Sequence, residues 1–162
     1  MKKKKKKTKL PKKVPITRLK KKLWELCKQI VRKRDGPVCF ICGKRGLEGS
    51  GWHTGHLNPS SVCGLYLRYD LRNLGSSCYN CNINLGGNGA AFLRAVEQFY
   101  GTAFTEQLFK DKQVILKADA RFFEKKIQEY EAITGLNSLY LIEFTRTCRN
   151  MYPPESYGYR KI

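Results

Sequence analysis

The chain has 162 residues, of which 41% are apolar, and 32 Lys and Arg against 13 Asp and Glu give it a formal charge of +19. The apolar content excludes a wholly disordered basic tail, and no apolar run approaches the roughly 20 residues that cross a bilayer. The Lys-rich N-terminus leads into no apolar segment typical of a signal peptide, so we expect a soluble protein that stays where it is made. The charge favours a nucleic-acid partner over an anionic membrane surface.

The positive charge is concentrated at the N-terminus. Residues 1–22 contain 13 basic and no acidic residues, whereas the remaining 140 residues carry a net charge of only +6. Pro11, Pro15 and the lysine run give no packing pattern before about Ile16. Residues 1–15 are therefore predicted to form a disordered Lys-rich arm.

Helical periodicity begins after this arm. Apolar residues recur at helical spacing from Leu19 to Val31, with Thr17 as the candidate N-cap and a stop at Asp35-Gly36-Pro37. The same spacing predicts further helices at residues 90–100, 105–109 (capped by Thr105) and 118–134. Residues 136–148 are ambiguous between helix and strand.

The middle of the chain has little periodicity. Residues 38–89 are rich in Gly, Cys, Ser and Asn, and only residues 38–41 and 64–68 are predicted to be extended. A segment of this length and composition needs a staple, because apolar burial alone does not hold it together.

The cysteines supply a candidate staple. Four of the seven form two C-x-x-C pairs, which are Cys39 with Cys42 and Cys78 with Cys81. An odd count without a secretion signal makes a disulfide framework unexpected. Each pair can direct two thiolates at one point, so the four predict a structural Zn²⁺ site, with a redox pair or chance spacing as the alternatives.

The other cysteines receive weaker interpretations. Cys27 lies on the apolar face of the first predicted helix and is expected in the core, whereas Cys63 and Cys148 are unassigned. Four thiolates leave no coordination position for substrate, so any catalysis must lie elsewhere. The two histidines, His53 and His56, both fall between the cysteine pairs.

These motifs resemble those of HNH nucleases, and most closely those of the phage recombination proteins of the NinG (Rap) type. The resemblance covers roughly residues 19–110. The matching residues, in chain order, are Cys39-x-x-Cys42, Gly55-His56, Leu67-Arg68-Tyr69-Asp70, Asn73, Cys78-x-x-Cys81-Asn82, Leu85, Gly87-Asn88 and Tyr100-Gly101. Each piece is weak alone, but their order and spacing together are specific.

The resemblance implies an α+β fold, with a zinc-stapled ββα-metal (HNH) core, flanking α-helices and the disordered basic arm. Residues 16–112 would form the nuclease domain, and residues 113–162 a C-terminal helical extension and tail. It further implies a metal-dependent DNA endonuclease that hydrolyses phosphodiester bonds in branched recombination intermediates such as D-loops and Holliday junctions. The location would be the cytoplasm of the bacterial host cell.

The resemblance also assigns catalytic residues. His56 would be the general base, Asn73 would hold or orient it, and Asn82 would help to bind a catalytic Mg²⁺ or Mn²⁺. Many HNH enzymes place a metal ligand directly before the catalytic histidine, but Gly55 stands there in this chain. His53 is a tentative substitute.

Three points stay open at these positions. His53 and His56 point to opposite faces of a regular strand, and only a bulge at Gly55 would bring them together, so a second-shell role or a DNA contact is the alternative for His53. Asn84 is a fallback for Asn82. Asp70 is expected to be a turn or cap residue rather than a ligand.

Basic residues near the expected site are candidate DNA contacts. Arg68 and Arg72 flank it, and Lys20, Lys21 and Lys22 lie on the polar face of the first helix. Solvated surface charge is the alternative interpretation for all five.

Two other functions remain possible from the sequence. One is a non-catalytic zinc-containing DNA-binding recombination accessory protein, and the other is an RNA-binding zinc protein. A homodimer is a further possibility, because junctions have two-fold symmetry and the helices after Ala118 could form a dimer contact or a monomer core.

Overall fold

The structure is a computed structural model that describes residues 14–147. Within that range it is a mixed fold of helices and one small antiparallel sheet, as expected. The elements are α1 (Ile16–Asp35), β1 (Trp52–His56), α2 (Gly64–Arg68), β2 (Leu74–Cys78), α3 (Gly89–Tyr100), α4 (Thr102–Asp111), α5 (Ala120–Thr134) and α6 (Ser138–Thr147). The predicted arm up to residue 13 and the tail from residue 148, including Cys148, lie outside the described residues.

Helix α1 begins one residue before its predicted cap. Pro15 occupies the N-cap position and Thr17 lies inside the first turn, so the prediction of Thr17 as N-cap is wrong. Proline suits this end because its missing N–H would have had no partner within the helix. The helix ends at Gly36, whose φ of 66° is readily adopted only by a residue without Cβ.

The larger core lies between α1, α5 and α6. Leu23 and Ile30 of α1 are fully buried there with Phe123 and Tyr130 of α5. The hydroxyl of Tyr130 donates to the backbone oxygen of Tyr69 (2.6 Å), which ties the core to the segment before β2. The helices after Ala118 therefore complete the core of the single chain.

The sheet is a regular two-stranded antiparallel pair. The register runs from Trp52 opposite Cys78 to His56 opposite Leu74, without an inserted residue. The bulge considered at Gly55 is therefore not formed. Because side chains alternate along a strand, His53 and His56 lie on opposite faces of the sheet.

Each face of the sheet is covered by a helix. On the face that includes Gly75, the ring of Phe92 from α3 approaches so closely that a Cβ at Gly75 would lie 2.9 Å from it. Helix α1 packs on the sheet from the other side. Because the two histidines lie on opposite faces of the sheet, they face different helices.

Buried charge joins α1 to the sheet. The guanidinium of Arg34 donates to the backbone oxygens of Leu71 (2.9 Å) and Leu74 (2.6 Å) and pairs with Asp35. The Asp35 carboxylate accepts from the backbone N–H of Ser76 (2.8 Å). Both charges are paired and hydrogen-bonded, as burial demands.

Two local expectations differ from the structure, and one open point is resolved by it. Residues 64–68 form the short helix α2 rather than an extended piece, and the ambiguous segment after Gly135 forms α6. Helix α4 begins at Thr102, and Thr105 lies inside it with its hydroxyl donated to the Thr102 oxygen (2.8 Å). Among the described helices, none has the length and apolar character needed to cross a membrane.

Candidate functional site

The four cysteines of the two C-x-x-C pairs come together, as the sequence predicts. Their Sγ atoms all lie within 4.8 Å of one another, and those of Cys42 and Cys78 are 3.8 Å apart. A tetrahedron with Zn–S distances of about 2.3 Å has S–S edges of about 3.8 Å. The donor set and its spacing therefore fit a structural Zn²⁺ ion.

Tight turns position these thiolates. The backbone N–H of Gly43 donates to the Cys39 oxygen (2.8 Å), and Gly43 takes a φ of 74°, which favours glycine. In the second pair, the N–H of Cys81 points at the Sγ of Cys78 (3.4 Å). Such N–H donation stabilises a thiolate, which is the form that binds metal.

Cys27 and Cys63 lie outside this cluster. Cys27 is fully buried in the core, as predicted, and its Sγ lies 3.6 Å from the Tyr69 oxygen. Burial raises the pKa of its thiol far above the ordinary range, so it stays protonated. Cys63 is buried in the smaller core around the cysteine cluster.

His56 ends β1 and is held from two sides. Its Nε2 lies 3.0 Å from the backbone oxygen of Arg68, and its ring stacks on the indole of Trp24 with centroids 5.2 Å apart and planes 7° from parallel. A carbonyl oxygen only accepts hydrogen bonds, so Nε2 carries the proton. The lone pair of the neutral ring is therefore on Nδ1.

The surroundings keep the His56 ring neutral. Burial lowers its pKa below the ordinary value, and the charge of Arg68 lowers it further, while the hydrogen bond to the Arg68 carbonyl acts in the opposite direction. A neutral imidazole at pH 7 can accept a proton.

His56 lines an open pocket with a volume of about 390 Å³. The pocket lies between the N-terminal half of α1 and the end of α2. Its lining residues are Lys20, Lys21, Trp24, His56, Ser60, Arg68 and Tyr69. Three of these side chains are cations and none is a carboxylate, so the pocket is suited to an anion.

Trp24 is the residue of this pocket that sequence reasoning missed. It lies beside the apolar stripe of α1 rather than on it, and 32 positions separate it from His56. The available signal was a tryptophan directly after the core position Leu23. The stacking of Trp24 on His56, however, could not be predicted, because it results from the packing of α1 on the sheet.

Asn73 does not contact the His56 ring through its side chain. It is fully buried, its Oδ1 accepts from the backbone N–H of Asn58 (2.8 Å), and its Nδ2 donates to the oxygens of Asn58 (3.0 Å) and Leu67 (3.3 Å). Asn73 thus closes the loop between the strands. That loop includes Arg68, whose carbonyl holds His56, so any orienting effect of Asn73 is indirect.

Polar groups collect on the opposite face of the sheet, under the π-helical turn Asn80–Asn84. The Nε2 of His53 and the Oγ of Ser77 are buried and have no hydrogen-bond partner among the described residues. A Cβ at Gly55 would lie 3.1 Å from both Ser77 Oγ and Asn82 Oδ1. His53 is paired with Ser77 across the strands, so His53, Ser77 and Asn82 surround the backbone at Gly55.

This second group contains side-chain types that can ligate a metal ion. An amide oxygen, a hydroxyl and an imidazole nitrogen are all metal ligands, and Gly55 leaves open the space that a side chain would fill. No second group of three or more His, Cys, Asp and Glu side chains with metal-binding spacing occurs in the described residues. Without a carboxylate, most of the ligands would be water.

The remaining candidates have partners of their own. The Asn84 amide donates to Asn80 Oδ1 (3.1 Å) on the exposed side of the turn. Asp70 accepts from the backbone N–H of Arg72 (2.9 Å) and caps the turn Leu71–Asn73, which confirms it as a cap residue.

The structure corrects the interpretation of Arg72 as a DNA contact. Its side chain is only 4% exposed and pairs with Asp70 (2.5 Å) and Asp111 (2.8 Å). A guanidinium neutralised by two carboxylates and buried between α2 and α4 does not reach a phosphate. Lys22, although exposed, pairs with Glu131 (2.7 Å). Arg68 is exposed and lines the pocket, as do Lys20 and Lys21.

Fold and cysteine cluster together define a small α+β protein built around a site that can bind a structural zinc ion. In comparisons with protein families, the bacteriophage lambda NinG protein family matches residues 1–135. Because this match includes most of the chain, the protein belongs to the NinG family. No curated protein and no solved structure matches it.

Proposed function

We propose that this NinG-family protein is a metal-dependent DNA endonuclease of the HNH type, with His56 as the general base. The observation that carries the proposal is the state of His56. Its Nε2 is engaged by the Arg68 carbonyl, and its pKa is lowered by burial, so a neutral ring offers a lone pair on Nδ1. Phosphodiester hydrolysis requires such a base to take a proton from the attacking water.

The charges around His56 support a phosphate substrate. Lys20, Lys21 and Arg68 line the same pocket, and cations there attract the DNA backbone and offset the charge that develops at the scissile phosphate. Arg68 contributes twice, because its carbonyl fixes the His56 ring and its side chain is exposed beside it.

The proposed catalytic Mg²⁺ or Mn²⁺ would be held by Asn82 and His53, with Ser77 beside them. Asn82 Oδ1 and Ser77 Oγ lie beside Gly55, which directly precedes His56 in β1. The buried Nε2 of His53 and Oγ of Ser77 have no hydrogen-bond partner among the described residues. When bound, such an ion supplies positive charge to the leaving oxygen. The chain order is that of the ββα-metal site, with β1 and β2 as the strands and the segment from Asn80 onward as the helical part. The side chains of His53 and Asn82, however, lie on the face of the sheet opposite to that of His56.

One observation favours a second function. None of the three atoms nearest to a Cβ at Gly55 belongs to a carboxylate, so we expect a low affinity for a catalytic ion. A non-catalytic zinc-containing DNA-binding protein with the same fold would show this feature too.

A nicking assay separates the two functions. The purified chain is incubated with a branched DNA and with plain duplex DNA of the same sequence, with added Mg²⁺ or Mn²⁺. We expect nicks in the branched DNA with either ion. His56→Ala, purified in parallel, controls for contaminating nucleases and should bind both DNAs without nicking them.

The opposite result is equally clear. If both DNAs stay intact with either ion while the wild-type protein binds them, the enzyme proposal fails and the accessory function remains. Cleavage of RNA alone would instead favour an RNA substrate.

A further inference from the structure

The pocket beside His56 has a size that restricts what can enter it. Its volume of about 390 Å³ lies at the lower end of the range of about 300–1,000 Å³ for small-ligand sites. A concavity of this size can hold one nucleotide. A nucleotide within a duplex would have to leave its stack and its partner to enter.

The lining of the pocket matches the two parts of a nucleotide. Lys20, Lys21 and Arg68 provide positive charge for a phosphate. Trp24, which is partly exposed and stacks one face of its ring on His56, provides aromatic surface for a base. Aromatic side chains combined with cations are the usual means of binding single-stranded nucleic acid. The absence of a carboxylate from this lining removes the usual source of repulsion for a phosphate.

We propose that this pocket receives a single unpaired nucleotide of the DNA substrate. The inference rests on the proposed function, because it assigns a substrate feature to the pocket that contains His56. It gives a physical origin for selectivity: unstacking and unpairing a nucleotide costs free energy in a duplex, but a nucleotide at a branch or gap is already unpaired. The pocket would therefore favour branched or gapped DNA.

The test measures binding and does not depend on hydrolysis. Fluorescence anisotropy gives the dissociation constants for a duplex with a three-nucleotide gap and for a fully paired duplex of the same sequence and length. The titrations use the zinc-containing full chain at one salt concentration without added Mg²⁺ or Mn²⁺. We expect the wild-type protein to bind the gapped DNA about tenfold more tightly, as loss of a stacking contact predicts.

Variants of the pocket locate the preference. Trp24→Ala and Arg68→Ala should each remove most of the preference for gapped DNA, because each should weaken binding to gapped DNA more than binding to paired DNA. Arg121→Ala is the matched control, because Arg121 is an exposed arginine of α5 that does not line the pocket. Trp24→Phe keeps an aromatic ring and should retain part of the preference. Circular dichroism and zinc content show whether each variant is folded. If Trp24→Ala is misfolded, the test rests on Arg68→Ala, because Arg68 is exposed and its replacement should not disturb the core.

Two results would overturn the proposal: equal wild-type affinity for the two DNAs, or a loss of affinity in Arg68→Ala that is the same for both. Either would make the pocket a general phosphate contact. These results are distinct from failure of the proposed function. A protein that prefers gapped DNA but never nicks it would refute hydrolysis alone, whereas nicking without this preference would refute the pocket alone.

Discussion

A single hydrogen bond decides which nitrogen of His56 is available for chemistry. The Arg68 carbonyl accepts from Nε2 at 3.0 Å, and stacking on Trp24 limits rotation of the ring. Nδ1 is left as the basic atom. Helix α1, which precedes the strands in the sequence, thus contributes directly to the candidate site.

This environment predicts a particular pH dependence. The imidazolium form cannot accept a proton, and burial lowers the pKa of His56 below its ordinary value of about 6.5. As the pH is lowered, the single-turnover nicking rate should therefore fall with a midpoint below 6.5. Between pH 7 and 8, titration of His56 should not change the rate. Trp24→Ala exposes the ring and should move the midpoint to higher pH. A wild-type midpoint above 6.5 would contradict the description of His56.

Predictions for single residues were confirmed where neighbouring residues in the sequence determine where the side chain points. The C-x-x-C spacing alone fixes where two thiolates point, and the four cysteines meet as expected. Arg72 failed because one of its partners, Asp111, lies 39 positions away in α4. A contact set by tertiary packing leaves no trace in the spacing around the residue.

At the scale of elements, the loop between β1 and β2 depends on contacts other than regular structure. Asn73 fastens it internally, and Arg34 and Asp35 fasten its end to α1. The neighbouring cysteine cluster joins the turn before β1 to the end of β2. Removal of the metal should therefore disturb the sheet more than the α1–α5 core.

Zinc removal tests this division. The purified chain should contain about one zinc ion, and a chelator should increase proteolysis within residues 38–89, because metal binding in such sites contributes to folding. Residues 120–134 should stay more protected than this segment. Cys42→Ser should mimic the chelator, and Cys63→Ser is the matched control outside the cluster. Unchanged circular dichroism and protease resistance after chelation would show that the cysteines do not hold a structural metal.

The elements with long apolar stripes were predictable, and the short ones were not. Helices α1, α3 and α5 follow their periodicity to within two residues, because an amphipathic face identifies a helix of this length. Helix α2 has five residues, too few for a period. The sequence predicts that His53 and His56 point to opposite faces of a regular strand. That β1 is regular at Gly55 could be established only from the strand pairing.

At the scale of the whole molecule, charge and chemistry lie in different parts of the sequence. Residues 1–22 carry +13 of the total charge of +19. Within the described part of this segment, Lys20 and Lys21 of α1 line the pocket. Attraction to phosphates supplies affinity without sequence preference. Under the proposed function, selectivity then comes from the pocket beside His56.

Deletion of residues 1–15, which removes nine lysines, tests that separation. Binding should weaken, and the plot of log affinity against log salt should become flatter, because fewer counterions are released. The nicking rate at saturating protein and low salt should stay close to that of the full chain. An arm with every lysine replaced by arginine is the control and should keep the salt dependence. Loss of all nicking under saturating conditions would refute the separation.

We propose that His56 acts as a general base, and chemical rescue is the sharpest test of this role. Single-turnover nicking of branched DNA is measured for the wild type and for His56→Gly, with and without added imidazole. We predict a loss of about 10²–10⁴-fold in His56→Gly, the range for a missing general base, and partial recovery with imidazole, which the pocket can accommodate. Nicking by His56→Gly at the wild-type rate would contradict the account.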